Sequence, residues 1–168
     1  HETALRLDEV VTGLKNNTLT KVDVASWHGG LELAQLLGES VEHDAQSGTL
    51  VEDINVSDNC LADVGAIALA PLLQRATPVQ RVEVIRNNLT AIGAINMVAA
   101  LRHASRLKLL SLAENEITDE GATAIAAELR LMESIPWLSL SGNQIGEAGG
   151  AALGDAALRH PSMRIFSF

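Results

Sequence analysis

LKLLSLAENEITDEGATAIAAEL, residues 107–129, decides the fold. Leu107, Leu110 and Leu112 stand at L-x-x-L-x-L spacing, Asn115 follows three residues later, and Ile117 leads into the run Gly121 to Leu129. Leu110 and Leu112 are two apart, which predicts a short strand with both side chains on one face. Beyond Ile117 the period changes. Ala122, Ile125, Ala126 and Leu129 stand at i, i+3, i+4 and i+7, one stripe of a helix. Strand, turn and helix in so few residues read as one turn of a coil.

The same coil recurs on both sides, every 28 residues. Its first position is Val51, Val79, Leu107, Ile135 and Met163. The fourth reads Ile54, Val82, Leu110, Leu138, Phe166, and the sixth Val56, Val84, Leu112, Leu140, Phe168. The ninth is asparagine throughout (Asn59, Asn87, Asn115, Asn143), and the eleventh is Leu61, Leu89, Ile117, Ile145. The fifteenth is glycine: Gly65, Gly93, Gly121, Gly149. Positions 4 and 6 are expected in the core and positions 3, 5 and 7 toward solvent. Thr90 and Thr118 are expected as helix N-caps. Where the strand bends toward its helix, backbone groups would be buried without partners, at a cost. An asparagine amide both donates and accepts, so a column of them can bridge those groups from coil to coil.

The pattern L-x-x-L-x-L-x-x-N-x-L-x-x-x-G with a helical second half resembles the leucine-rich repeats of the ribonuclease-inhibitor-like class. The resemblance covers Val51 to Phe168 closely and Leu5 to Leu50 loosely. It implies an α/β, right-handed solenoid with parallel strands on a concave face, helices on a convex face, and binding through the concave side. We divide the chain into an atypical N-terminal capping coil (1–50), four repeats (51–162) and the strand of an incomplete fifth (163–168). In the cap, Leu5, Leu7, Val10, Val11 and Leu14 suggest an opening helix, with a turn over Lys15 to Thr18. Leu19, Val22 and Val24 then take positions 1, 4 and 6, but Trp27 replaces the asparagine and Leu33 the glycine, and Val51 comes 32 residues after Leu19. A more polar helix is expected from Leu31 to about His43. An irregular, wetter terminal coil is what a solenoid needs over its core. Pro71 should bend or shorten its helix.

Composition narrows the function. The net charge is -9 and the pI about 4.9, so a phosphate-backbone ligand, which would need a basic stripe, is excluded. No apolar run is long enough to span a membrane. The chain begins at His1, consistent with a removed leader or preceding domain, so the absence of a signal peptide carries no information. A single cysteine, Cys60, permits no internal disulfide and points to a reducing, cytoplasmic setting. The three N-x-S/T sequences at Asn16, Asn55 and Asn88 weigh mildly the other way.

Catalytic and metal chemistry find no footing. His1, His28, His43, His103 and His160 form no H-x-x-x-H pair, and there is no phosphate loop or G-x-S-x-G elbow. Cys60 reads as a small filler rather than a nucleophile, and His43–Asp44 as a solvated helix end. No cofactor is expected. What remains is the concave face. Position 3 supplies Asp53, Arg81, Leu109, Trp137 and Ile165; position 5 supplies Asn55, Glu83, Ser111, Ser139 and Ser167. Position 7 adds Ser57, Ile85, Ala113 and Ser141, and position 8 adds Asp58, Arg86, Glu114 and Gly142. The first repeats thus present mixed charge. The later ones present an apolar row, Leu109–Trp137–Ile165, among small residues.

The reading is a non-enzymatic scaffold that binds a protein partner through Trp137, Leu109, Ile165, Arg81, Glu83, Ile85, Arg86, Asp53, Asp58 and Glu114, with no nucleic-acid or membrane partner. The resemblance also admits a GTPase-activating protein, since one such family uses similar repeats. It admits a cytoskeletal cap as well, since Lys15-Asn16-Asn17-Thr18-Leu19 followed by Val22 and Val24 resembles the helix-to-strand passage of tropomodulin-type repeats. Phe166 and Phe168 fall in core columns with no helix after them. The isolated chain is therefore expected to self-associate through its C-terminal edge or to gain stability when extended.

Overall fold

The computed structural model describes residues 6–41, 48–163 and 165–167, the last three by backbone alone. Helix and strand alternate through it: α1(Leu7–Lys15), β1(Lys21–Asp23), α2(Gly30–Glu39), β2(Asp53–Asn55), α3(Ala62–Arg75), β3(Arg81–Glu83), α4(Ala91–Ala100), β4(Leu109–Ser111), α5(Asp119–Leu129), β5(Trp137–Ser139), α6(Glu147–Arg159) and β6(Ile165–Ser167). The strands form one parallel sheet in the order β1-β2-β3-β4-β5-β6. Neighbours pair at the predicted offset, Ile54 with Val82, Val82 with Leu110, Leu110 with Leu138. The longer step of the first coil is absorbed outside the sheet, because Val22 still pairs with Ile54. The result is a leucine-rich-repeat type α/β solenoid, one strand and one helix per turn, with the helices packed in chain order α2 to α6.

The core lies between sheet and helices and is continuous along the stack. Ile54, Val56, Val82, Val84, Leu110, Leu112, Leu138 and Leu140 are all at most 1% exposed, so positions 4 and 6 point inward in all four repeats. Ala66, Leu69 and Leu73, then Ala94, Met97, Val98 and Leu101, then Ala122, Ile125, Ala126 and Leu129, cover them from the helical side. Aromatic rings are almost absent because the space between layers is filled by aliphatic side chains.

The position-15 glycines let the helices approach one another. A Cβ at Gly149 would sit 2.8 Å from Ala122 Cβ and 2.6 Å from Asp119 Oδ1, and one at Gly93 2.4 Å from Asp63 Oδ1. These contacts reveal a second column that the sequence reading missed. Asp63 Oδ1 accepts from Thr90 N (2.9 Å) and Gly93 N (2.8 Å), while Asp119 Oδ1 accepts from Gly146 N (2.6 Å) and Gly149 N (3.0 Å). Each aspartate lies in the first turn of one helix and caps the next, placing a negative charge at its N-terminus.

Several expectations are corrected. Thr90 does cap α4, accepting from Ile92 N at 3.4 Å, but the Thr118 side chain makes no capping bond. The residue one coil earlier, in the place of Asp63, is Ala91, so no carboxylate reaches α5 from there. Pro71 does not shorten its helix, and α3 is the longest at 14 residues. Gly38 of α2 leaves room beside it for the Ala68 carbonyl and the Pro71 ring. Helix α2 ends at Glu39 rather than near His43, as the Ser40 hydroxyl turns back to donate to Leu36 O. The readings on His1, Leu5, His43, Asp44 and Phe168, and on the side chains of Ile165 and Phe166, lie outside the described residues.

Candidate protein-binding face

The asparagine column forms the inner wall of the loops that follow each strand. Asn115 is 6% exposed and makes five hydrogen bonds. Its Oδ1 accepts from Asn87 N (2.9 Å) and Leu89 N (3.1 Å) in the preceding coil. Its Nδ2 donates to Val84 O (2.9 Å), Leu112 O (3.0 Å) and Ala113 O (3.1 Å). Asn87 repeats the arrangement toward Asn59 N, Leu61 N and Val56 O, and Asn143 toward Ile117 N and Leu112 O. In the capping coil Trp27 offers no amide, so Asn59 reaches back instead, accepting from Gly29 N and donating to Val24 O. With donors and acceptors consumed inside the stack, this column has nothing left for a ligand.

Just before each asparagine, and before Trp27 in the capping coil, position 8 takes a left-handed backbone: Ser26 (φ 60°), Asp58 (56°), Arg86 (53°), Glu114 (53°) and Gly142 (72°). Only the last is glycine, so the others carry a strain of about 1 kcal/mol or more each. The turn lets position 8 extend the sheet ladder, with Asp58 N donating to Ile85 O and Glu114 N to Ser141 O. It also brings successive position-8 side chains side by side.

The consequence is a charge row across three coils. Arg86 grips Glu114 through two bonds, Nε to Oε2 at 2.7 Å and Nη2 to Oε1 at 3.1 Å, and its Nη1 lies 3.6 Å from Asp58 Oδ1. The hydrogen bond from Arg86 holds the Glu114 carboxyl below its usual range, against an opposing effect of desolvation, and the same bond raises the Arg86 guanidinium. On the strands, Arg81 Nη1 pairs with Glu83 Oε1 at 3.5 Å, and Lys21 with Asp23 at 3.4 Å in the capping coil. Lys21 and Asp23 were missed in sequence because they sit in the irregular coil. Asp53, half-buried, lies in register between Lys21 and Arg81. The first half of the face is thus charged but internally neutralised.

The second half differs. Leu109, Trp137 and Ile165 are consecutive register partners, so their Cα atoms form one row across β4, β5 and β6. Leu109 is half-buried, while Trp137 remains 45% exposed. Beside them Ser111 is buried, and Ser139 Oγ lies 3.2 Å from Ser141 Oγ. Position 7 is not simply solvent-facing as expected. Ile85 is half-buried, and Ser57 and Ala113 are buried because both are small and lie close to the loop backbone; Ser57 Oγ accepts from Ile85 N.

The comparisons with known proteins bear on this geometry. A family model described as leucine-rich repeat matches residues 49–70, 103–126 and 138–154. Those three stretches are leucine-rich repeats. Among curated proteins none matches the sequence of the chain. Among solved structures it is similar to leiomodin-1, in the structure of its actin-binding site 2, with a TM-score of 0.69 and 19% identity over 94% of this chain and 91% of that one. It is also similar to the tropomodulin C-terminal domain of Caenorhabditis elegans, with a TM-score of 0.66 and 13% identity over 93% of each chain. At these identities the likeness speaks for the fold. Among the described residues, this leucine-rich-repeat chain groups no three His, Cys, Asp or Glu side chains as a metal site, and no helix is long and apolar enough to cross a membrane.

Proposed function

We propose that this leucine-rich-repeat chain is a non-enzymatic module that takes a protein partner on the helix-free face of its sheet, anchored at Trp137. The observation that carries the reading is the exposure of Trp137 within a row that includes Leu109. Tryptophan left in water beside a second apolar residue and rimmed by serines has the composition of an interface anchor, where truncation costs about 2 kcal/mol or more. Ile165 would extend the row, and Arg81, Glu83, Ile85, Arg86, Asp53, Asp58 and Glu114 would form its charged flank, setting register more than affinity. The 28-residue period supports placing the repeats in the ribonuclease-inhibitor-like class, with the face concave. The cap over 1–50, four repeats over 51–162 and closing strand over 163–168 belong to the same reading, as does a cytoplasmic setting.

Affinity capture with the wild-type chain and with Trp137→Ala, followed by direct titration of whatever protein the wild type retains, tests this. Retention by the wild type and loss by the variant is expected; equal retention removes the site. The cytoskeletal-cap reading gains from leiomodin-1, whose structure is titled for an actin-binding site. Co-sedimentation with filamentous actin, expected to carry the chain into the pellet under that reading, decides it. The GTPase-activating reading would rest on Arg81 and Arg86, which face Glu83 and Glu114 in exposed ion pairs, and a GTPase turnover assay decides it.

A further inference from the structure

The acidic character of the chain is not uniform. Where helices end and strands begin, a cleft of about 430 Å³ opens between the second, third and fourth repeats, lined by Gln80, Ser105, Arg106, Lys108, Ser134 and Pro136 among others. No carboxylate is among the described residues that line it. Elsewhere in the repeats Arg81, Arg86, Arg102, Arg130 and Arg159 each face a carboxylate at 3.5 Å or less. Arg106 and Lys108 face none among the described residues; Lys108 Nζ donates instead to Gln80 Oε1 at 2.6 Å. Of the acids near this edge, Glu133 lies toward His103, its Oε1 3.8 Å from the imidazole Nδ1, and Glu52 stands one coil before Gln80, two coils from Lys108. A chain with a net charge of -9 therefore keeps two exposed cations unneutralised in one cleft.

Position along the chain says what they are for. Lys108 immediately precedes Leu109 and Pro136 immediately precedes Trp137, and Trp137 N donates to Lys108 O at 3.1 Å. The cleft thus opens at the strand-start end of the same two turns that carry the apolar row. We propose that cleft and row form one composite site for an acidic peptide segment of the partner, its apolar side chains on Leu109 and Trp137 and its carboxylates at Arg106 and Lys108. This rests on the open-face reading above and gives the partner a chemistry. A carboxylate-bearing peptide fits better than free phosphate, which would have no use for the adjoining apolar row. Unneutralised cations beside an apolar anchor raise the encounter rate with such a segment and reject basic ones.

The test uses a fluorescent synthetic peptide of leucines followed by glutamates, a twin with glutamines in their place, and inorganic phosphate, each titrated against the full chain. The glutamate peptide is expected to bind more tightly than its twin and to weaken as salt rises. Arg106→Glu with Lys108→Glu should weaken it roughly tenfold, and Arg106→Gln with Lys108→Gln by less. Circular dichroism should show the fold unchanged, since both side chains are exposed. The proposal is overturned by equal binding of the two peptides, by charge-reversed protein that binds like wild type, or by phosphate displacing the peptide at constant ionic strength. Failure of the wild type to bind at about 1 mM peptide also overturns it. Weakening by Trp137→Ala alone removes the basic cleft and leaves the open-face reading standing. Weakening by charge reversal alone removes the open-face reading and the composite site together.

Discussion

Two columns run along this stack within one coil of each other, and they are opposites. Of the asparagines at position 9, Asn59, Asn87 and Asn115 are buried and Asn143 half-buried, and all spend their hydrogen-bonding capacity on backbone; Asn115 alone serves five groups in two coils. The position-3 residues Leu109 and Trp137 are held in register by the same ladder, yet leave an indole 45% exposed. A side chain with every partner inside the molecule contributes to folding. One that folding leaves exposed is free to contribute to binding. The comparison separates stability from recognition at the level of single positions, and substitutions can break it.

The largest effect on folding is expected at Leu112, fully buried at the centre of the stack. Leu112→Ala should cost roughly 2–5 kcal/mol through the cavity it leaves, read as a shift of the urea midpoint; a shift under about 1 kcal/mol would show that the coils repack freely. Next comes Asn115→Ala, which strands Asn87 N, Leu89 N and Val84 O in a buried loop. About 1–3 kcal/mol is expected, and unchanged melting sinks the ladder. Asp119→Ala removes only a cap on α6. It should cost about 0.5–2 kcal/mol, with faster hydrogen exchange at Gly146 and Gly149 as the local signature.

The smallest effect is at Glu114, exposed on the outer row. Because Arg86 lowers its carboxyl, the pair's contribution is present above the ordinary glutamate value and is lost as pH falls through the lower folded value. An NMR titration should show Glu114 protonating at lower pH than a free glutamate and returning toward the ordinary value in Arg86→Gln. Identical titration in both proteins would mean that the grip is absent in solution.

Most of the fold was legible because the period repeats. Columns 4, 6, 9 and 15 each have one physical task, and the structure assigns them as read. What was not legible is contact between coils made by residues that do not recur. Asp63 and Asp119 cap the following helix, but Ala91 interrupts their column, so spacing gave no signal beyond an acid two residues before three of the four glycines. Thr118 looked like Thr90 in sequence and makes no capping bond, because capping depends on hydroxyl direction and not on residue type. Pro71 sits inside α3 without ending it, and α2 places Gly38 beside the Ala68 carbonyl of the same stretch, a contact between coils that spacing does not show. The candidate face was legible as a list but not as a grouping. That Arg86 is pinned on Glu114, or that Arg106 and Lys108 meet no carboxylate among the described residues, follows from left-handed turns and cross-coil distances that no single coil encodes.

The central claim is that folding and recognition occupy different columns, and Trp137→Ala tests it most directly. Its affinity for the captured partner should fall by about 2 kcal/mol, roughly thirtyfold, while its melting midpoint stays that of the wild type. A variant that melts well below the wild type and binds the partner unchanged would contradict the account, since Trp137 would then belong to the fold.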